Sequence, residues 1–375
     1  MTWARVFLCL FLALQPGLSH PGVEETVPLH AAKPVDSRIP HVSQCHGTFQ
    51  EPEFVKRTIE RRHGEFERLR KARGIKGRAL PRRQLSKLDE YLNKNHKAKK
   101  PFTEDTKPAE LFADDGACMA APLVSEGPLY VQGEQIRRNI TDNETGVPMA
   151  LEIQVVDAKT CAPIPYAAVD IWGCNTTGVY SGVWSFYRQG NDMGYDRSVI
   201  NSTALRGIQF TDQDGAAVFD TFFPGHYEGR ATHIHVMIHL NTSRQANKTI
   251  GTSGRVAHIT QIYFDQSLIT EVEKIPPYTE NTQVLKKNNE DGLLKITTLT
   301  DDPFMRYVML GDGVEDGIFS YIRLGVDTSA DYTAGVQPAA WRDETGGHQK
   351  LDGPMNDGGS PPFLPPNPTP KPVKG

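Results

Sequence analysis

The sequence predicts a mainly β protein, an antiparallel β-sandwich domain behind a basic, partly helical N-terminal extension. Three observations predict it. From about residue 118 apolar and polar residues alternate in short runs, Gly/Asp turns separate the runs, and little of the stretch has helical spacing. The runs are 151–157, 167–172, 216–223, 233–240, 258–264 and 319–326, with a turn at 211–215 leading into the third.

Taken in order, residues 1–19 read as a secretory signal. Arg5 precedes the apolar run 6–14, and Gly17, Leu18 and Ser19 offer a cleavage site. That run is too short to span a bilayer, and no later stretch is long and apolar enough to do so. The expectation is a secreted, extracellular protein without a membrane anchor. Six N-x-S/T sequons agree with export, at Asn139, Asn143, Asn175, Asn201, Asn241 and Asn247. Removing the signal leaves Cys45, Cys118, Cys161 and Cys174, an even count that suggests two disulfides of undetermined pairing.

Residues 20–117 form the extension. The stretch 51–72 reads as a helix, with Phe54, Val55, Ile59, Phe66 and Leu69 at approximately helical spacing, and 84–95 reads as a second. Residues 56–100 hold 17 Lys/Arg against 5 Asp/Glu in a chain whose net charge is −4. So basic a segment is expected to be solvated or to lie against the acidic remainder. Nucleic-acid binding is not indicated, because no recognised binding motif accompanies the charge. The catalytic domain is placed at 118–345, and the Gly/Pro-rich stretch 346–375 reads as a disordered tail.

The chemistry concentrates in residues 225–235. His233 and His235 are two apart on a predicted strand, so their side chains share a face about 6–7 Å apart along it and can converge on one metal ion. Ile234, Val236, Ile238 and Leu240 make the opposite, apolar face; His239 lies too far along the strand to join. A bare His-x-His is more often a hydrogen-bonded pair on a half-exposed strand, so other segments must decide.

Three do. They run from Gly127-Pro128 to Gly133-Glu134, from Asp170 through Trp172, Asn175 and Gly178 to Tyr180-Ser181, and from His258 through Thr260-Gln261 to Phe264. With Pro224-Gly225, Tyr227, Arg230 and His233-Ile234-His235 they resemble, in order over about residues 118–330, the intradiol ring-cleavage dioxygenases, and within them the secreted, mainly fungal branch. The resemblance implies a mononuclear non-haem Fe(III) held by Tyr180, Tyr227, His233 and His235. It implies that Tyr227 also accepts a proton, that Arg230 stabilises developing negative charge, and that Gln261 orients substrate or oxygen. The implied substrates are a small aromatic diol and O2, with a cis,cis-muconate-type diacid as product. It further implies dimers through the helical extension, the alternative being an extension folded on its own domain. Two positions depart from the family pattern. Gly173 stands where a histidine is usual, and Leu129 where an aromatic is frequent.

Two other readings compete. His235 and His258, 23 residues apart, could bring three histidines to a zinc ion for lyase or hydrolase chemistry. That reading leaves both tyrosines unexplained. A non-catalytic β-sandwich binding module is the second. A cupin site fails because no glutamate follows the His-x-His closely.

Overall fold

The computed structural model describes residues 45, 49, 51–75, 92, 94–98, 106–112, 126–184, 197–298 and 302–350. The expected signal, Cys118, most of the second expected helix and the tail beyond 350 lie outside these residues.

Two four-stranded sheets face each other. The first has the order β5 (Ala216–Phe222), β2 (Pro148–Asp157), β9 (Ile318–Val326), β8 (Arg306–Met309). The second has the order β4 (Arg206–Phe210), β3 (Ala168–Trp172), β6 (His233–Leu240), β7 (Arg255–Tyr263). Leu151, Ile153 and Val155 of β2, Phe219 of β5 and Ile322 and Leu324 of β9 pack against Val169 and Ile171 of β3 and Ile234, Val236 and Ile238 of β6. The ladders of these sheets are antiparallel except one, since β2 runs parallel to β9. These two strands are far apart in sequence, so no hairpin constrains their directions.

The outer faces are covered as well, which is why β2, β3 and β9 read as buried along nearly their whole length. Over the first sheet lies α1 (Pro52–Arg73), with a proline in its first turn, Glu53 at its positive end and Arg70, Lys71 and Arg73 at its negative end. Its buried stripe is Phe54, Thr58, Arg62, Phe66 and Arg70, a strict spacing of four. Of the apolar residues expected there, Val55, Ile59 and Leu69 are only half-buried. Phe66 joins Phe112 of α2 (Pro108–Phe112) and Phe319 and Tyr321 of β9. Arg62 stacks over Tyr321 at 4.0 Å, and Arg61 and Arg62 both donate to Glu152, at 3.0 and 2.8 Å. The basic helix therefore lies against its own domain, with this face unavailable to a second chain.

The Cys45–Cys161 disulfide fastens the extension to the turn after β2. Cys174 is a buried free thiol, so the second bridge expected from the cysteine count is not made there. The first residues of the expected tail are ordered as a strand. Residues 346–349 form β11 (Gly346–Gln349), paired antiparallel with β10 (Ala340–Asp343), which adds to the short β1 (Val131–Gln132). Glycine-rich composition hid this strand; its neighbour β10 supplies the ladder. Among the described residues no helix is long and apolar enough to cross a membrane.

Candidate metal and ring-cleavage site

The outer face of the second sheet carries the site. The antiparallel register sets Trp172 of β3, His235 of β6 and Gln261 of β7 side by side in one row, and His233 beside Tyr263 in the next. Alternation then sends Ile234 and Val236 into the core and both histidines outward, beneath two loops. One loop, 173–184, follows β3 and delivers Tyr180; the other, 223–232, precedes β6 and delivers Tyr227 and Arg230. The loops touch at Gly225, where a Cβ would lie 2.3 Å from the Asn175 carbonyl oxygen. Only glycine permits that approach, and it brings the two phenols together.

Tyr180, Tyr227, His233 and His235 are all buried, between 0% and 4% exposed. Their rings form one cluster, with Tyr180 and Tyr227 centred 5.6 Å apart, Tyr227 and His233 5.8 Å, and Tyr180 and His235 6.1 Å. The two imidazoles point Nε2 at Nε2 across 3.1 Å. His233 donates from Nδ1 to the Ala231 carbonyl at 2.6 Å, which leaves its Nε2 lone pair facing inward. Burial depresses the pKa of both histidines, helped by Arg230 at His233 and by His233 at His235, so both rings are neutral donors. Burial and the neighbouring Tyr227 push the Tyr180 phenol well above its ordinary value. Its hydroxyl is buried with no hydrogen-bond partner among the described residues.

These features fit a metal ion. An orphaned buried hydroxyl is costly, and a cation beside it would both satisfy the oxygen and favour its ionisation. Donors 3.1 Å apart match adjacent positions around an ion with bonds of about 2.1 Å. Two phenol oxygens and two imidazoles make a hard set suited to ferric iron.

Arg230 and Gln261 flank this cluster. Arg230 Nη2 donates to Gln261 Oε1 at 2.6 Å and to the Tyr263 hydroxyl at 2.9 Å, and that hydroxyl in turn donates to Gln261 Oε1 at 2.6 Å. Arg206, fully buried, donates to the carbonyls of Ser181 and Leu129 at 2.7 and 2.8 Å, joining the Tyr180 loop to the 127–133 segment. Gly127 lies against the other side of His235, where a Cβ would be 3.2 Å from Cε1.

All six residues expected at the site thus occupy one place. His258 does not. It pairs with Ile238 and lies on the opposite face of β7 from Gln261, so a three-histidine zinc centre with His235 is not formed. His239 is engaged with Asp170 at 3.5 Å. Sequence reading missed Tyr263, Arg206 and Asp291, whose carboxylate accepts from Arg230 Nε at 2.9 Å. Tyr263 was accessible through alternation, two residues beyond Gln261. Arg206 and Asp291 reach the site only through the fold.

A family model described as a dioxygenase matches residues 122–290. The chain is 26% identical to catechol 1,2-dioxygenase of Acinetobacter baylyi over 234 residues, covering 55% of this chain and 68% of that one. It is 30% identical to an intradiol ring-cleavage dioxygenase from Tetranychus urticae, covering 57% of this chain and 97% of that one, with a TM-score of 0.46. A further dioxygenase of known structure is 32% identical with the same coverages and a TM-score of 0.45. With both scores under 0.5, membership rests on the sequence match and not on superposition. The chain belongs to the intradiol ring-cleavage dioxygenases.

Proposed function

We propose that this protein is an extracellular non-haem Fe(III) dioxygenase that opens a catechol-type ring between its two hydroxylated carbons. Both atoms of O2 enter a cis,cis-muconate-type diacid. The observation that supports it most is the convergence of His233 and His235, Nε2 to Nε2 at 3.1 Å, beside the partnerless buried hydroxyl of Tyr180.

Tyr180, Tyr227, His233 and His235 are the residues that would hold the metal. Bound iron would supply Lewis acidity toward the two substrate hydroxyls and draw electron density from the ring. The remaining work belongs to the chain. Tyr227, on the loop that precedes β6, is the phenol that would take a proton from an incoming diol. Arg230 presents a fixed positive charge where negative charge develops on the substrate. Gln261 has its Oε1 committed to Arg230 and Tyr263, which leaves its amide nitrogen to donate to a ligand. Burial of the whole cluster keeps water from competing.

An exported setting is supported by the Cys45–Cys161 bridge and by exposed asparagines at sequons 139, 143, 201, 241 and 247. Asn175 is different: its Nδ2 donates to Glu144 at 3.1 Å and its Oδ1 caps the Tyr180 loop, so it is expected to stay unmodified.

The test is direct. Purified protein should carry about one iron per chain, show a red tyrosinate-to-iron band, and consume O2 with catechol or hydroxyquinol. Stoichiometric zinc in a colourless preparation would sink the proposal. Colour without O2 uptake on any aromatic diol would instead favour a binding module.

A further inference from the structure

We infer that Asp291 is the positioning residue that aims Arg230, and that it does so by sharing one carboxylate between the catalytic loop and the end of a helix. The inference rests on the role proposed above for Arg230.

Asp291 lies 61 residues beyond Arg230 and is fully buried. Its Oδ2 accepts from Arg230 Nε at 2.9 Å and from the Ala231 backbone N–H at 2.7 Å. Its Oδ1 accepts from the Leu294 backbone N–H at 2.9 Å, in the first turn of α3 (Gly292–Thr297). One side chain therefore fixes the Arg230 guanidinium, the peptide two residues before His233, and the start of α3. With Nε held by Asp291 and Nη2 by Gln261 and Tyr263, the guanidinium plane is pinned from two directions. Burial opposes ionisation of Asp291, but the Arg230 charge and the Leu294 and Ala231 N–H groups outweigh it and hold the carboxyl below its ordinary value. A buried arginine needs such a partner, and a carboxylate that meets it at Nε neutralises the guanidinium while fixing the direction of its fork.

This arrangement separates two jobs. Asp291 makes no hydrogen bond to the Tyr180 or Tyr227 phenol or to either imidazole among the described residues, and reaches His233 only through its charge and the Ala231 peptide, so its loss should misdirect Arg230 more than it disturbs the metal site. Asp291→Asn keeps shape and one acceptor but removes the charge. Its kcat/KM is expected to fall on the order of 10–100-fold, with the loss in kcat and with iron content and colour retained. In an Arg230→Lys background, which has no Nε–H in that place, Asp291→Asn should cost little more. A purely structural role for Asp291 would lower activity by the same factor in both backgrounds.

A second readout does not depend on turnover. In the metal-free protein the Arg230 Nε–H resonance, identified by its absence in Arg230→Lys, should be protected from solvent exchange, and Asp291→Asn should remove that protection. The wild-type half of this measurement stands even if the variant does not fold. Full turnover in Asp291→Asn, independent losses in the double variant, or an unprotected Nε–H in the wild-type protein would each overturn the inference. Absence of iron and colour in the wild-type protein would instead defeat the metal reading, leaving the Arg230–Asp291 measurement unaffected.

Discussion

The indole of Trp172 lies flat on the imidazole of His235, with ring centroids 4.9 Å apart and planes 6° from parallel. Because the two residues are direct partners across β3 and β6, the stack is built into the register and not left to a loop. Tyr130 backs the indole at 5.0 Å, and its hydroxyl donates to Asp170 at 3.3 Å. His235 thus has no Nδ1 hydrogen bond to orient it, unlike His233, and relies on packing.

Trp172→Phe should therefore affect the metal more than the fold. The smaller ring is expected to cost about 1–3 kcal/mol of stability, as large-to-small core changes do. Loosening of His235 should shift the tyrosinate-to-iron band and lower kcat on the order of tenfold. Spectra and thermal melts of the same preparation check this. An unshifted band with full kcat would mean that Gly127 and the sheet alone hold the ring.

Tyr180→Phe separates a structural tyrosine from a ligand. The Tyr180 hydroxyl has no hydrogen-bond partner among the described residues, so deleting it from the metal-free chain removes an unsatisfied polar group. The metal-free variant should be as stable as the parent, or more stable by up to about 1–3 kcal/mol. The same variant should lose the colour band and turnover. A destabilised metal-free variant that keeps its activity would reveal a hydroxyl serving the fold.

The pairing of α1 with the first sheet predicts an acid sensitivity. Burial works against the charge of Glu152, but Arg61 and Arg62 overcome it and bring its carboxyl from 4.5 down to about 2. A depressed acid contributes stability above its unfolded value and loses it as pH falls through the folded one. The contribution is roughly 3 kcal/mol at neutral pH, disappearing between about pH 5 and pH 2. Glu152→Gln should cost about 3–5 kcal/mol, since it leaves Arg62 buried without its carboxylate, and should flatten this part of the stability–pH curve. Urea melts from pH 2 to 7 give the comparison.

Much of this was legible in the sequence because alternation and turn residues are local signals. His233–Leu240 appears as a strand with the expected bounds, and its two faces are the core and the site. The stretch 346–349 was not legible: a Gly-Gly-His-Gln strand has no apolar alternation and exists because β10 offers it a ladder. The helix stripe of α1 was misjudged in part because sequence patterns count apolar residues, whereas Arg62 and Arg70 are buried through Glu152, Tyr321 and the Leu310 carbonyl. At the site, Tyr180, Tyr227 and the histidines could be named from ordered motifs. Arg206 and Asp291 could not, because a buried charge announces itself only through its partner, and the partner is known only once strands and loops are placed.

The segment around His96 should respond to pH in the opposite sense from Glu152. His96 is buried between two carboxylates, Nδ1 against Asp265 and Nε2 3.1 Å from Asp302, and it stacks on Phe304 at 5.3 Å. Burial disfavours its charge, yet the two aspartates prevail and raise its pKa, while Asp302, opposed by burial but paired with His96 and Lys94, falls to about 2. A raised histidine contributes stability that is complete below its unfolded value near 6.5 and is lost as pH rises through the folded one. The reporter is the Ala98 amide, which donates to the Tyr307 carbonyl at 2.8 Å. Its hydrogen-exchange protection, corrected for the intrinsic rate, should be high at pH 6 and fall in alkaline buffer. In His96→Gln it should be lower at pH 6 and nearly independent of pH across that range. Equal protection in both proteins at every pH would assign the anchoring to the backbone ladder with Tyr307 and leave the ion-paired histidine without a role in it.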